Sequence, residues 1–209
     1  MSHSYEPHRL VIQNLSVLET APAFVSEVEK RVFAAIDEKI RNWVESQDGW
    51  EGIFEYLENE TSFQPVPWEK DDDGTPCAWY GFDEESDEGF IHRLSPLLGT
   101  LPVRYGLWFV VNPIWVTRLS GRGVRAIWEN YLAENFAQGK FAESGFELQK
   151  DTLFLPIRID PQLLADGYPD SLNEALAPFD DALKKLEVVH TEIDSMLKAA
   201  LTFPFKKRG

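Results

Sequence analysis

Hydrophobic residues recur at helical spacing near both ends of the chain and fall into short, turn-bounded runs between them, which restricts the chain to a mixed fold. Within 20–46, Val25, Val28, Val32, Ile36, Ile40 and Trp43 are spaced by threes and fours. This predicts one amphipathic helix, capped by Thr20, with Pro22 in the first turn where a missing N–H costs little. Glu27, Lys30, Arg31, Asp37, Glu38 and Arg41 alternate with the apolar positions and are expected on its wet face.

From residue 50 to 111 the period shortens. Ile53–Leu57, Thr61–Val66, Ala78–Phe82 and Tyr105–Val111 read as strands, separated by Pro65 and Pro67, by Asp73-Gly74-Thr75-Pro76, and by Gly99 and Pro102. Gly121 and Gly123 lead into a helix over 124–136, and 153–159 reads as a further strand closed by Asp160-Pro161. Pro178 is expected to start the last helix, with Asp180 and Asp181 in its first turn, where the helix dipole favours negative charge. Its stripe runs Phe179, Leu183, Leu186, Ile193, Leu197, Ala200, with His190 in the one gap. The expected fold class is therefore α+β: a central, mostly antiparallel sheet flanked by an N-terminal helix and a long C-terminal helix. One globular domain over 1–203 is expected, with its acidic, aromatic-rich sheet region at about 41–111, followed by a basic tail over 204–209.

Charge departs furthest from an ordinary domain. The net charge is −15, and residues 41–100, with fifteen acidic and three basic side chains, carry −12 of it. The same stretch holds ten aromatics, among them Trp68 and Trp79. Such a surface repels phosphate, so direct binding to nucleic acid is not expected. The absence of a long apolar run and of a basic leader ahead of one leads to the expectation of a cytoplasmic protein with no membrane contact. A crowded acidic, aromatic surface suits a basic protein partner: carboxylates stand in for phosphates and aromatic rings supply apolar anchors. The expected partner-binding residues are Asp71, Asp72, Asp73, Asp83, Glu84, Glu85, Asp87, Glu88, Trp68 and Trp79. The plain alternative is a solubilising face.

The remaining constellations fail their own spacing. An EF-hand loop with Gly74 at its sixth position would need a glutamate at residue 80, which is Tyr80. Glu69-Lys70 and Glu147-Leu148-Gln149-Lys150 lack the spacing of a metal-dependent nuclease, and no nucleophile elbow or phosphate-binding loop occurs. Cys77, the only cysteine, reads as a small buried residue. No cofactor or metal is expected. Arg118, Arg122 and Arg125 around Gly121 and Gly123, ahead of a helix, form a weak anion-binding candidate; the plain reading pairs them with the protein's own carboxylates. The function expected is non-catalytic: an acidic interaction protein, such as an inhibitor occupying a nucleic-acid-binding site or an immunity-type protein. One alternative is a small hydrolase using carboxylates with His92, with or without a divalent ion. Another is a homo-oligomeric structural subunit paired through the His190 helix.

Overall fold

Helical periodicity extends further toward the N-terminus than the Thr20 cap implies. In the computed structural model, which describes residues 6–68, 74–85, 92–112 and 124–202, α1 (Glu6–Gln13) leads across Asn14 into α2 (Leu15–Ser46). Thr20 does not cap: its hydroxyl donates to the carbonyls of Ser16 and Val17 inside the helix. Pro22 is likewise interior. The sheet follows as β1 (Trp50–Phe54), β2 (Thr61–Pro65), β3 (Ala78–Glu84), β4 (Tyr105–Val111), β5 (Glu147–Gln149) and β6 (Thr152–Ile157). Between strands lie α3 (Leu94–Leu97) and α4 (Val124–Gln138), and after them α5 (Pro161–Gly167) and α6 (Ala177–Thr202). Strand order is β1-β2-β3-β4-β6-β5 with every pairing antiparallel, so the α+β class is observed.

Strand parity sorts side chains between two faces. Tyr80, Phe82, Tyr105, Leu107, Phe109, Leu153 and Leu155 are buried on the face covered by α2 and α6. The α6 stripe packs here too, with Phe179, Leu183, Leu186, Ile193 and Leu197 at most 1% exposed. It is spent on this protein's own core, and so is not a free seam for a second helix. Phe33 of α2 sits at the centre, stacked on Tyr56 at 4.9 Å and tilted against Tyr105 and Phe82.

Asp37 departs from the expected wet face. It is buried, and its carboxylate accepts from the Tyr56 backbone N–H at 3.0 Å and from the Thr61 hydroxyl, tying α2 to the β1–β2 hairpin. Burial raises its pKa even though both hydrogen bonds favour the charged form. Asp37→Ala is expected to cost about 2 kcal/mol in urea unfolding, because it orphans two buried donors. Lys39 binds Asp180 at 2.8 Å and holds the start of α6 against α2; with Asp180 half exposed, the pair contributes about 1 kcal/mol at most. Asp160, expected only to close a strand, caps α5 by accepting from the N–H groups of Gln162 and Leu163, with Pro161 in the first turn.

Gly106 is required for β4 to meet β6. A Cβ there would collide with the Leu155 carbonyl and the ring of Phe154, which lies across the glycine on the sheet's second face.

Candidate functional site

Among the described residues that second face carries no helix comparable to α2 or α6. It is built by the outward positions of the central strands: Ser62 and Gln64 on β2, Trp79, Gly81 and Asp83 on β3, Trp108 and Val110 on β4. Gly81, paired with Trp108, has no side chain, so the sheet floor dips between the two indoles. Two hollows of about 410 and 460 Å³ result, sharing Trp79, Glu60 and Ser62. Among the described residues their linings together contain five carboxylates, Glu51, Glu60, Asp83, Glu84 and Glu85, and no lysine, arginine or histidine.

The carboxylates are not equivalent. Glu60 is exposed and accepts from the Ser62 hydroxyl at 2.9 Å; Glu51 accepts from the Gln64 amide at 2.9 Å. Asp83 is exposed and fixed by the Tyr56 hydroxyl at 3.1 Å and the Glu84 N–H at 2.8 Å. Its main-chain carbonyl accepts from the Trp108 indole at 3.3 Å, which orients that ring. Glu85 is already neutralised: Arg104 grips it through two nitrogens at 2.6 and 2.8 Å, and Gln149 donates at 2.6 Å. Arg104 holds its carboxyl below the usual range. Arg104 also binds Glu147 twice and stacks over Phe154, so it closes one end of the hollow rather than lining it.

Of the residues named from sequence, Trp79 and Asp83 stand together on this face. Glu84 is half-buried and alternates to the helix-covered side, next to Tyr105. Trp68 is a correction: it is 4% exposed, and its indole N–H donates to Asp194 at 3.1 Å while its ring packs on Tyr80 and Phe109. A ring so enclosed cannot meet a partner without opening the core. Asp71, Asp72, Asp73, Asp87 and Glu88 lie outside the described residues. So do Arg118, Arg122 and the side chain of Arg125, whose backbone belongs to the first turn of α4. Glu51, Glu60 and Trp108 were missed, although strand alternation carries the signal for Trp108: in Tyr105–Val111 it is the outward position between Leu107 and Phe109.

The histidines do not join this face. Among the described residues no carboxylate is hydrogen-bonded to the His92 ring. His190 accepts from or donates to the Tyr80 hydroxyl at 2.8 Å and leans on Trp50 at 4.7 Å. Burial lowers its pKa, opposed by Asp194 and assisted by Lys198. Its neutral ring therefore contributes stability that is full above the ordinary value of 6.5 and is lost as pH falls through the depressed folded value. Urea midpoints measured between about pH 7 and pH 5 are expected to fall more steeply for the wild type than for His190→Gln. Equal slopes would contradict a half-buried ring held neutral.

Among the described residues no group of three His, Cys, Asp or Glu side chains forms a metal site, and no helix is long and apolar enough to cross a membrane. No protein-family model, curated protein or solved structure matches the chain. The face is therefore read from its own chemistry.

Proposed function

We propose that this protein is a non-catalytic binding protein whose second sheet face, around Trp79, receives a basic protein surface. The observation that carries this reading is the pair of adjoining hollows around Trp79. Glu51, Glu60 and Asp83 face the hollows, Glu60 and Asp83 with no cation in ion-pair contact among the described residues, while Glu85 is held by Arg104. Indole faces attract guanidinium and ammonium groups, and carboxylates fixed on a rigid sheet meet them with little ordering cost. The same arrangement repels nucleic acid and suits an inhibitor or immunity-type protein that covers a nucleic-acid site, its carboxylates taking the place of phosphates.

The test is a titration of a fluorescein-labelled arginine-rich peptide by anisotropy, across a salt series. Binding is expected at low salt, with affinity falling as salt rises. Reversing two exposed carboxylates on α6, Asp181→Lys with Glu187→Lys, is expected to change affinity less than about threefold beyond the general charge effect. If that remote pair weakens binding as much as reversals on the sheet face, the attraction belongs to net charge and the proposal fails.

A further inference from the structure

A second surface, on a different part of the molecule, carries its own inference. The stripe that seats α2 on the body begins with Val32, fully buried, and continues toward the N-terminus as Val25, Leu18 and Val11 at seven-residue intervals. There the body has ended. Val11, Ile12, Leu15, Val17, Leu18 and Phe24 are 46–74% exposed on a helical arm made of α1 and the first half of α2. A helix apolar over this much of its circumference belongs inside a packed assembly. These six side chains expose roughly 600 Å² of apolar surface, as much as or more than the largest patch on a typical monomer.

We infer that the arm pairs with the same arm of a second copy, antiparallel, about Leu18. The first argument is charge. The protein carries −15 in all, so two copies repel almost everywhere, yet residues 10–26 contain a single charged side chain, Glu19. The second is complementarity. Antiparallel pairing about Leu18 sets Val11 opposite Val25 and puts the two negatively charged bodies at opposite ends of the paired arms, whereas parallel pairing sets them side by side. The third is size. A stable interface buries about 800 Å² per partner, a little over half of it apolar, which is what one arm offers. Length agrees as well: in this register residue 6 of one copy lies opposite residue 30 of the other, so each arm ends where the other body begins. The contact is isologous and closes as a twofold dimer, leaving the acidic sheet face of each copy open.

Sedimentation equilibrium of the full chain tests this. The expected mass at tens of micromolar is twice 23.9 kDa. Val11→Glu with Leu18→Glu is expected to weaken dimerisation on the order of 100-fold or more. Far-ultraviolet circular dichroism and thermal unfolding of the variant monomer are expected to match a folded body, whose core starts at Val32. Orientation is read by cross-linking: mixed Val11→Cys and Val25→Cys chains form a disulfide-linked dimer, whereas Val11→Cys alone does not. Cys77 is fully buried and does not compete. A wild-type monomer at these concentrations overturns the inference, as does self-linking of Val11→Cys. A wild-type monomer that instead binds phosphatidylglycerol vesicles through the arm assigns the surface to lipid and overturns it equally.

Discussion

Phe33→Ala is expected to lower the unfolding free energy by about 3–5 kcal/mol, the range for deleting a buried aromatic ring. Phe33 is fully buried and touches Tyr56, Phe82 and Tyr105, so the ring joins α2 to the hairpin and to two central strands at once. The cavity cannot close by a shift of one element, because Asp37, one turn further on, pins α2 to Tyr56 and Thr61. Phe24, on the same helix but 62% exposed, is the control. Phe24→Ala is expected to change stability by no more than about 0.5 kcal/mol, measured at protein concentrations low enough to keep the chain monomeric. Urea unfolding with unchanged m-values separates the two. Similar losses at both positions would mean that the arm, too, is part of the monomer's core.

The second large effect concerns the sheet face around Trp79. Trp79→Ala, combined with Glu60→Lys and Asp83→Lys, is expected to weaken the arginine-rich peptide at least 100-fold and to flatten the salt dependence. Truncating a central indole anchor typically removes about 2 kcal/mol or more of binding energy, and each reversal replaces an attraction by a repulsion. Trp79 is half-buried and Glu60 exposed, so these changes act chiefly on the surface. Asp83 is the exception, because its carboxylate receives the Tyr56 hydroxyl; Asp83→Asn supplies a second variant that keeps the acceptor and removes the charge. Trp108→Ala alone is expected to cost binding while leaving the hydrogen bonds of Asp83's carboxylate intact. Glu85→Lys is expected to destabilise the sheet edge rather than report on binding, since it breaks the Arg104 and Gln149 contacts.

Much of this architecture was legible in the residues, for reasons of period. The Val32–Ile36–Ile40 stripe, the Tyr80–Phe82 alternation and the Leu153–Ile157 strand each repeat a simple spacing that burial enforces. Periodicity reports that a face is apolar but not what covers it. Hence Val25 looked like core, although Val11 and Leu18, in line with it, stand on the arm, and the α6 stripe could equally have met another chain. β5 escaped notice because it has three residues and turns into β6 at Lys150, a non-glycine at φ 54°. Asp37 looked like solvent-facing charge, and the partners that make its burial tolerable lie nineteen and twenty-four residues away. Trp68 was misread for a related cause: its neighbours in sequence are acidic, while the group that satisfies its N–H is on α6, 126 residues on. The charge density of residues 41–100 was visible at once, but not its division. Glu85 is neutralised by Arg104 from β4's approach, Glu84 turns inward, and Asp83 and Glu60 stay available.

The most direct measurement is capture from nuclease-treated host lysate on three immobilised forms: the wild type, the Trp79→Ala/Glu60→Lys/Asp83→Lys form, and the remote Asp181→Lys/Glu187→Lys form. One basic protein is expected to be retained by the wild type and the remote form, released as salt rises, and lost from the sheet-face form. Equal retention by all three, or retention by none at low salt, would contradict a binding role for this face.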